Sequence, residues 1–147
     1  AGRDGLSLYD HWADGFRTLH GMTSHGFPNV FFVGFIQGGI TAAVTSVFEQ
    51  QANHIAYVLS EALARGATTV EPTEEAQDQW VRTVRETAYD NSDFARACTP
   101  GYFNGEGEPR LRSQFGEPYG PGFYAMDDLL AAWRSAGDLA GLDLSGR

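Results

Sequence analysis

A four-residue apolar run, Val30-Phe31-Phe32-Val33, follows Gly26-Phe27-Pro28-Asn29 and stops at Gly34; Gly38, Gly39 and a helix-like run from Thr41 come next. Four apolar residues bounded by turn formers suit a strand buried on both faces better than a helix. A glycine turn joining such a strand to a helix start leaves the first N–H groups of the helix open, an arrangement that serves cofactors and anions. Neither a GxGxxG fingerprint nor a GxxxxGK[ST] phosphate loop occurs in the 147 residues. The chain therefore has a helix terminus suited to touching a cofactor but no phosphate cradle, and reads as one piece of a larger cofactor-binding enzyme. It opens at Ala1 without a methionine and in mid-pattern, which fits that expectation.

Beyond the turn the apolar period lengthens. Val44, Val47, Phe48, Gln51, Ile55, Val58, Leu59 and Ala62 recur at three- and four-residue spacing, predicting one apolar stripe on a long helix ended by Gly66. Thr73 before Glu74 and Glu75 reads as an N-cap with an acidic first turn. Ala76, Trp80, Val81, Val84 and Ala88 carry this second helix to about Tyr89. Met126, Leu129, Leu130 and Trp133 mark a third, stopped near Gly137. Upstream, Leu6 to Thr23 divides into two aromatic-bearing segments around Asp14-Gly15, predicting a short hairpin. Between Asn91 and Gly122 the periodicity vanishes and Gly and Pro cluster; a loop of about thirty residues in a compact unit tends to be functional. The expected fold class is α+β and mainly helical: a short N-terminal hairpin, one buried strand, three helices and a long Gly/Pro-rich loop. It forms a single segment with parts 1–66 and 67–147.

A net charge of −9 and a pI near 4.7 argue against nucleic acid as a partner. No apolar run approaches the roughly 20 residues that cross a bilayer, and the start carries no signal pattern. No membrane partner is expected. The single cysteine, Cys98, cannot form an internal disulfide, which fits a cytoplasmic location, and it reads as a small buried residue. His11, His20, His25 and His54 contain no HxxxH pair, so no metal is expected. Without GxSxG there is no support for a hydrolase nucleophile, and no catalytic residue is assigned. Glu71, Glu74, Glu75 and Asp78 read as a solvated helix start, with Arg82 and Arg85 pairing to acids at the surface. The turn is different: Gly34, Gly38 and Gly39 exceed what a merely structural turn needs and predict close backbone approach to a cofactor.

Four motifs carry a family resemblance. They are Gly26-Phe27-Pro28-Asn29-Val30-Phe31-Phe32-Val33-Gly34, Glu49-Gln50-Gln51-Ala52-x-His54-Ile55, Val70-Glu71-Pro72-Thr73-Glu74-Glu75-Ala76 and Cys98-Thr99-Pro100-Gly101-Tyr102-x-Asn104-x-Glu106-Gly107. In this order and spacing, from Leu8 to Leu144, the chain resembles the C-terminal portion of a Baeyer–Villiger monooxygenase. The resemblance implies a two-dinucleotide-binding-domain flavoprotein in which NADPH reduces FAD and O2 is used to turn a ketone into an ester or lactone. The flavin carries the chemistry and the protein orients it. Residues 1–66 would close the FAD domain, with Val30–Gly34 its last strand, and 67–147 would add C-terminal helices and an active-site loop.

By the same resemblance, Thr41, Ala42 and Val44 neighbour the flavin mainly through backbone, beside Gly34 and Gly39. Ile40, Thr41 and Tyr102 would line the ketone pocket, and Thr99 and Asn104 would lie in the loop over the nicotinamide. A positive helix end at the flavin edge would favour charge building at N1–C2=O. The family's tryptophan near the loop start is replaced by Thr99 or Pro100, and Thr99-Pro100-Gly101-Tyr102 looks more like the branch acting on macrocyclic or steroid ketones. Both Rossmann fingerprints and the catalytic arginine of the family have no counterpart here. The N-terminal part of the enzyme is thus the expected partner, and the chain alone is expected to be inactive. The alternative is a stand-alone interaction or small-ligand-binding module derived from such an enzyme.

Overall fold

The computed structural model describes residues 1–88, 97–101 and 117–146. After a 3-10 turn at Arg3–Gly5 come α1 (Leu8–His11), α2 (Val44–Ala64), β1 (Thr69–Pro72), α3 (Glu74–Thr87), α4 (Gly122–Ala136) and β2 (Leu142–Ser145). The three long helices follow the apolar period and stop where the sequence stops them. Gly66 takes φ 73° after α2, and Ala67 N–H returns to Ala62 O at 3.0 Å. Gly137 ends α4 in the left-handed region. Thr73 caps α3, its Oγ1 accepting from Ala76 N–H at 3.1 Å. Tyr89, the expected end of that helix, lies outside the described residues, and so do Tyr102 and Asn104.

An antiparallel pair absent from the expected fold ties the two ends of this half together: Val70 lies opposite Leu144 and Pro72 opposite Leu142. Pro72 is tolerated because the pair has only two strands and a proline lacks one ladder donor. The other edge of β1 is held by Asn29, in the left-handed region at φ 59°. Its N–H donates to Val70 O at 2.8 Å, its Oδ1 accepts from Val70 N–H at 2.9 Å and its Nδ2 donates to Thr68 O.

Two expected elements are corrected. Leu6 to Thr23 is no hairpin: Leu8–His11 coils into a helical turn, Gly15 swings the chain at φ 143°, and pairing is confined to one bridge between Leu19 and Thr23. Val30–Val33 is extended but belongs to no ladder among the described residues, and it is not buried on both faces, since Val30 is 40% and Val33 57% exposed. The cause lies in its hydrogen bonds. Phe32 N–H reaches Met22 O at 2.8 Å and Gly34 N–H reaches the Gln51 side chain, whereas the alternate N–H groups of Phe31 and Val33 have no acceptor among the described residues. The segment is a strand edge with one side satisfied.

The core lies between α2, α3, α4 and the 19–23 loop. Leu19, Met22, Trp80, Val84, Met126 and Leu130 form one buried cluster, and Val58, Ala62 and Val70 a second one under Phe31 and Trp133. Full burial of one large aliphatic side chain stabilises by about 1.5–3 kcal/mol, so Met126 and Leu130 are strong anchors for α4. The apolar residues of α2 occupy two faces instead of one. Val47, Gln50, Gln51, His54, Val58 and Ala62 are buried, while Val44, Phe48, Leu59 and Leu63 point outward and are exposed.

Candidate functional site at the strand-to-helix turn

Between the extended segment and α2 the backbone turns, and two buried glutamines fix the turn. Gln51, in the second turn of α2, clamps one residue of the turn from both sides: its Oε1 accepts from Gly34 N–H at 3.0 Å and its Nε2 donates to Gly34 O at 2.7 Å. Gln37, fully buried with φ 49°, holds the next bend. Its Oε1 accepts from Thr18 N–H and Thr18 Oγ1, and its Nε2 donates to Phe16 O and Glu117 Oε2. Its main-chain oxygen accepts from the Trp80 indole at 3.1 Å. Neither glutamine was assigned a role from sequence. Gln51 was visible as a member of the apolar period and of the Glu49–Ile55 motif, and a glutamine bonding to main chain across distant segments leaves no local signature of that role.

The glycines divide by role. Gly34 faces open space at its α-carbon, so backbone approach from outside is free there. Gly39 has a packing role: it is buried, and a methyl group there would fall 2.7 Å from Met126 Cβ and 2.8 Å from Gly122 O. Gly38 is buried too, its main-chain oxygen accepting from Tyr119 N–H at 3.0 Å. Gly39 thus lets α4 close onto the turn, whereas a methyl group at Gly38 would meet only ordinary contacts, 3.6 Å from Gln51 Nε2.

α2 begins at Val44, and the residues ahead of it form an open rim. Ile40 and Thr41 are half-buried; Ala42, Ala43, Val44 and Thr45 are exposed. Val44 N–H turns back to Ala42 O at 3.1 Å, and Ser46 N–H bonds to Ala43 O. No acceptor among the described residues takes the N–H groups of Ala42, Ala43 and Thr45. The helix has no side-chain N-cap and no acidic residue in its first turn. Among the described residues its positive end is therefore neither neutralised nor blocked, a state that favours a partially negative edge of a ligand. Of the loop residues assigned from sequence, Thr99 is described and exposed, and Cys98 is half-buried.

The acidic cluster is corrected in part. Glu74 and Glu75 are exposed, but Glu71 is buried, taking the Arg3 guanidinium on Oε1 and Gly26 N–H on Oε2. The Arg3 hydrogen bonds hold its carboxyl below the usual carboxylate range. Asp78 pairs with Arg17, and Arg82 donates to Gln79. Among the described residues no group of three His, Cys, Asp or Glu could hold a metal ion, and no helix is long and apolar enough to cross a membrane.

No family profile matches the chain. It is 41% identical over 143 residues to neopentalenolactone D synthase of Streptomyces avermitilis, a match covering 97% of this chain and 24% of that protein. With a Baeyer-Villiger monooxygenase of Streptomyces coelicolor it shares 44% identity over 134 residues, 90% of this chain and 22% of that one. Its fold matches the polycyclic ketone monooxygenase of the fungus Thermothelomyces thermophila with a TM-score of 0.82 and 32% identity, over 99% of this chain and 24% of that chain. Further relatives are named FAD-binding monooxygenases, and a cyclohexanone monooxygenase of the same fold was solved bound to NADP+. Relatives and fold thus define a piece of a flavoprotein monooxygenase. The chain belongs to the Baeyer–Villiger monooxygenases and corresponds to their C-terminal portion, spanning 24% of the length of the first relatives it matches.

Proposed function

We propose that this chain is the C-terminal part of a cytoplasmic enzyme that uses FAD, NADPH and O2 to insert one oxygen atom into a ketone, giving an ester or lactone. The observation that carries this reading is the uncapped, exposed start of α2, in a chain whose relatives are flavoprotein monooxygenases. The residues fit a flavin edge. The N–H groups of Ala42, Ala43 and Thr45 lack acceptors among the described residues, no carboxylate stands in the first turn to repel a partly negative ring edge, and Gly34 leaves room for close approach. Bound FAD supplies the electron transfer and oxygen chemistry. Residues of this chain would orient it: Thr41, Ala42 and Val44 along its edge, with Ile40, Thr41 and Tyr102 walling the ketone pocket and Thr99 and Asn104 facing NADPH. The polycyclic-ketone relative supports a bulky cyclic ketone as substrate class.

The chain needs the N-terminal part of the enzyme to act. Its strand edge at Phe31 and Val33 and the outward apolar face of α2 both call for cover, which disfavours a stand-alone binding module. In this reading 1–66 completes the FAD domain and 67–147 braces it. The test is to purify the full-length enzyme and measure its visible spectrum and NADPH oxidation with and without a bicyclic ketone, identifying the product by mass. A flavin spectrum with ketone-dependent turnover and a product 16 mass units (one oxygen atom) heavier is expected; a protein without flavin, or a ketone that returns unchanged, overturns the reading.

A further inference from the structure

Among the described residues of the turn, Gln37 stands out as a non-glycine held in the left-handed region, at φ 49° between neighbours that include two glycines. Such a conformation costs about 1–3 kcal/mol and persists where surrounding contacts over-determine it. Here they do. The carboxamide is saturated on both atoms: Thr18 N–H and Oγ1 at 3.1 and 2.7 Å on the oxygen, Phe16 O and Glu117 Oε2 at 2.9 and 3.2 Å on the nitrogen. Its main-chain oxygen takes the Trp80 indole N–H. Glu117, the partner on the far side, is itself a non-glycine at φ 49°. Two residues later Tyr119 donates its N–H to Gly38 O, and its ring lies 5.2 Å from that of Trp80. One buried residue therefore joins the N-terminal segment and Glu117 through its side chain, and α3 through its main-chain oxygen, at a single bend three residues before the open rim that starts at Ile40.

We propose that Gln37 is a positioning residue for the flavin edge: by locking this bend to Thr18, Phe16 and Glu117 it sets the direction in which the backbone enters α2, and hence where the open N–H groups of Ala42, Ala43 and Thr45 point. This rests on the flavin reading above. Gln51 fixes the upstream end of the same turn at Gly34, so the bend at Gln37 governs the path of the residues from Gly38 onward. An apolar residue of similar size at 37 would leave Thr18, Phe16 and Glu117 without a buried partner and let the bend relax toward ordinary φ.

The test uses the full-length holoenzyme and compares parent, Gln37→Leu, Gln37→Glu and Glu117→Ala by flavin spectrum and flavin reduction by NADPH. A parent without a flavin spectrum defeats the functional reading itself, before any variant is compared. With a flavin-bearing parent, Gln37→Leu should shift the visible flavin band and slow reduction about tenfold, the worth of one to two hydrogen bonds, with the KM for ketone within about twofold of the parent. Gln37→Glu should show the same defect at about pH 9 and recover at about pH 6, because a protonated carboxyl regains a donor toward Phe16 O or Glu117. A Gln37→Leu enzyme that melts earlier but keeps the parental spectrum and reduction rate would make Gln37 a stability residue and overturn the proposal. If Gln37→Leu does not fold, Glu117→Ala decides: a shifted flavin band supports the proposal, and an unchanged band overturns it.

Discussion

His20 and His54 meet edge to face, ring centroids 5.6 Å apart, inside a wall formed by Trp80 and Trp133. Among the described residues no carboxylate is paired with either ring. Arg134 Nη1 stands 3.4 Å from His54 Nδ1, and since a guanidinium only donates, Nδ1 accepts and the proton of His54 sits on Nε2. Burial, with the neighbouring His54 adding to it, pushes His20 down to about 3; burial and then Arg134 push His54 down to about 4. Both rings are therefore neutral in the fold at pH values where an unfolded chain already protonates them. The unfolded state gains protons first as pH falls below 6.5, so stability is full above that value and drains away between 6.5 and about 4 for His54, continuing to about 3 for His20. At roughly 1.4 kcal/mol per pKa unit the loss amounts to several kcal/mol at the acid end. Thermal melting of parent and His54→Gln across this range checks the origin: the variant should show a flatter acid limb, and an identical slope would assign the acid loss to other groups.

At the scale of elements, the helices were legible and the sheet was not, for physical reasons. α2, α3 and α4 each repeat apolar residues often enough for the 3.6 period to show, and each ends at a residue with its own local chemistry: Gly66, the Thr73 cap, Gly137. β1 and β2 have four residues each, carry Glu71-Pro72 and Asp143 among their few positions, and pair across about half the chain, so nothing local announces them. The run 30–33 reads as a buried strand because burial and extension look alike in four residues; its pairing partner is not in this chain's described part. The turn was legible from its glycines, but one of them also answers a packing demand. Gly39 is glycine because α4 crosses it, a packing demand invisible without the tertiary contact. Gly39→Ala should therefore push α4, at Met126 and Gly122, off the turn and destabilise by about 1–3 kcal/mol. A denaturant midpoint equal to that of the parent would show that α4 is not seated on the turn.

At the scale of the whole molecule, the described residues bury a core yet leave apolar surface exposed on the outer face of α2 and in the 30–33 segment. Val44, Phe48, Leu59 and Leu63 lie along the outer face of α2, with Leu63 73% exposed, and Val30 and Val33 expose further apolar surface. Scattered surface apolar residues need no explanation, but a stripe along a 21-residue helix, together with two strand N–H groups, at Phe31 and Val33, that have no acceptor among the described residues, is a surface built to be covered. The relatives are about four times as long as the stretch this chain matches, so the cover is ascribed to the rest of the enzyme. The consequence is testable in two settings. Isolated, the 147-residue chain should self-associate, and Phe48→Glu with Leu59→Glu should return it to a 16.0 kDa monomer in sedimentation velocity, because a charge on this face is solvated only when the face is free. In the full-length enzyme the same pair should instead lower the melting temperature and release flavin, since the charges would be driven against an apolar partner surface. A monomeric parent chain, or a full-length double variant that melts like the wild type, would make the outer face of α2 a solvent face and leave the N-terminal part to dock elsewhere.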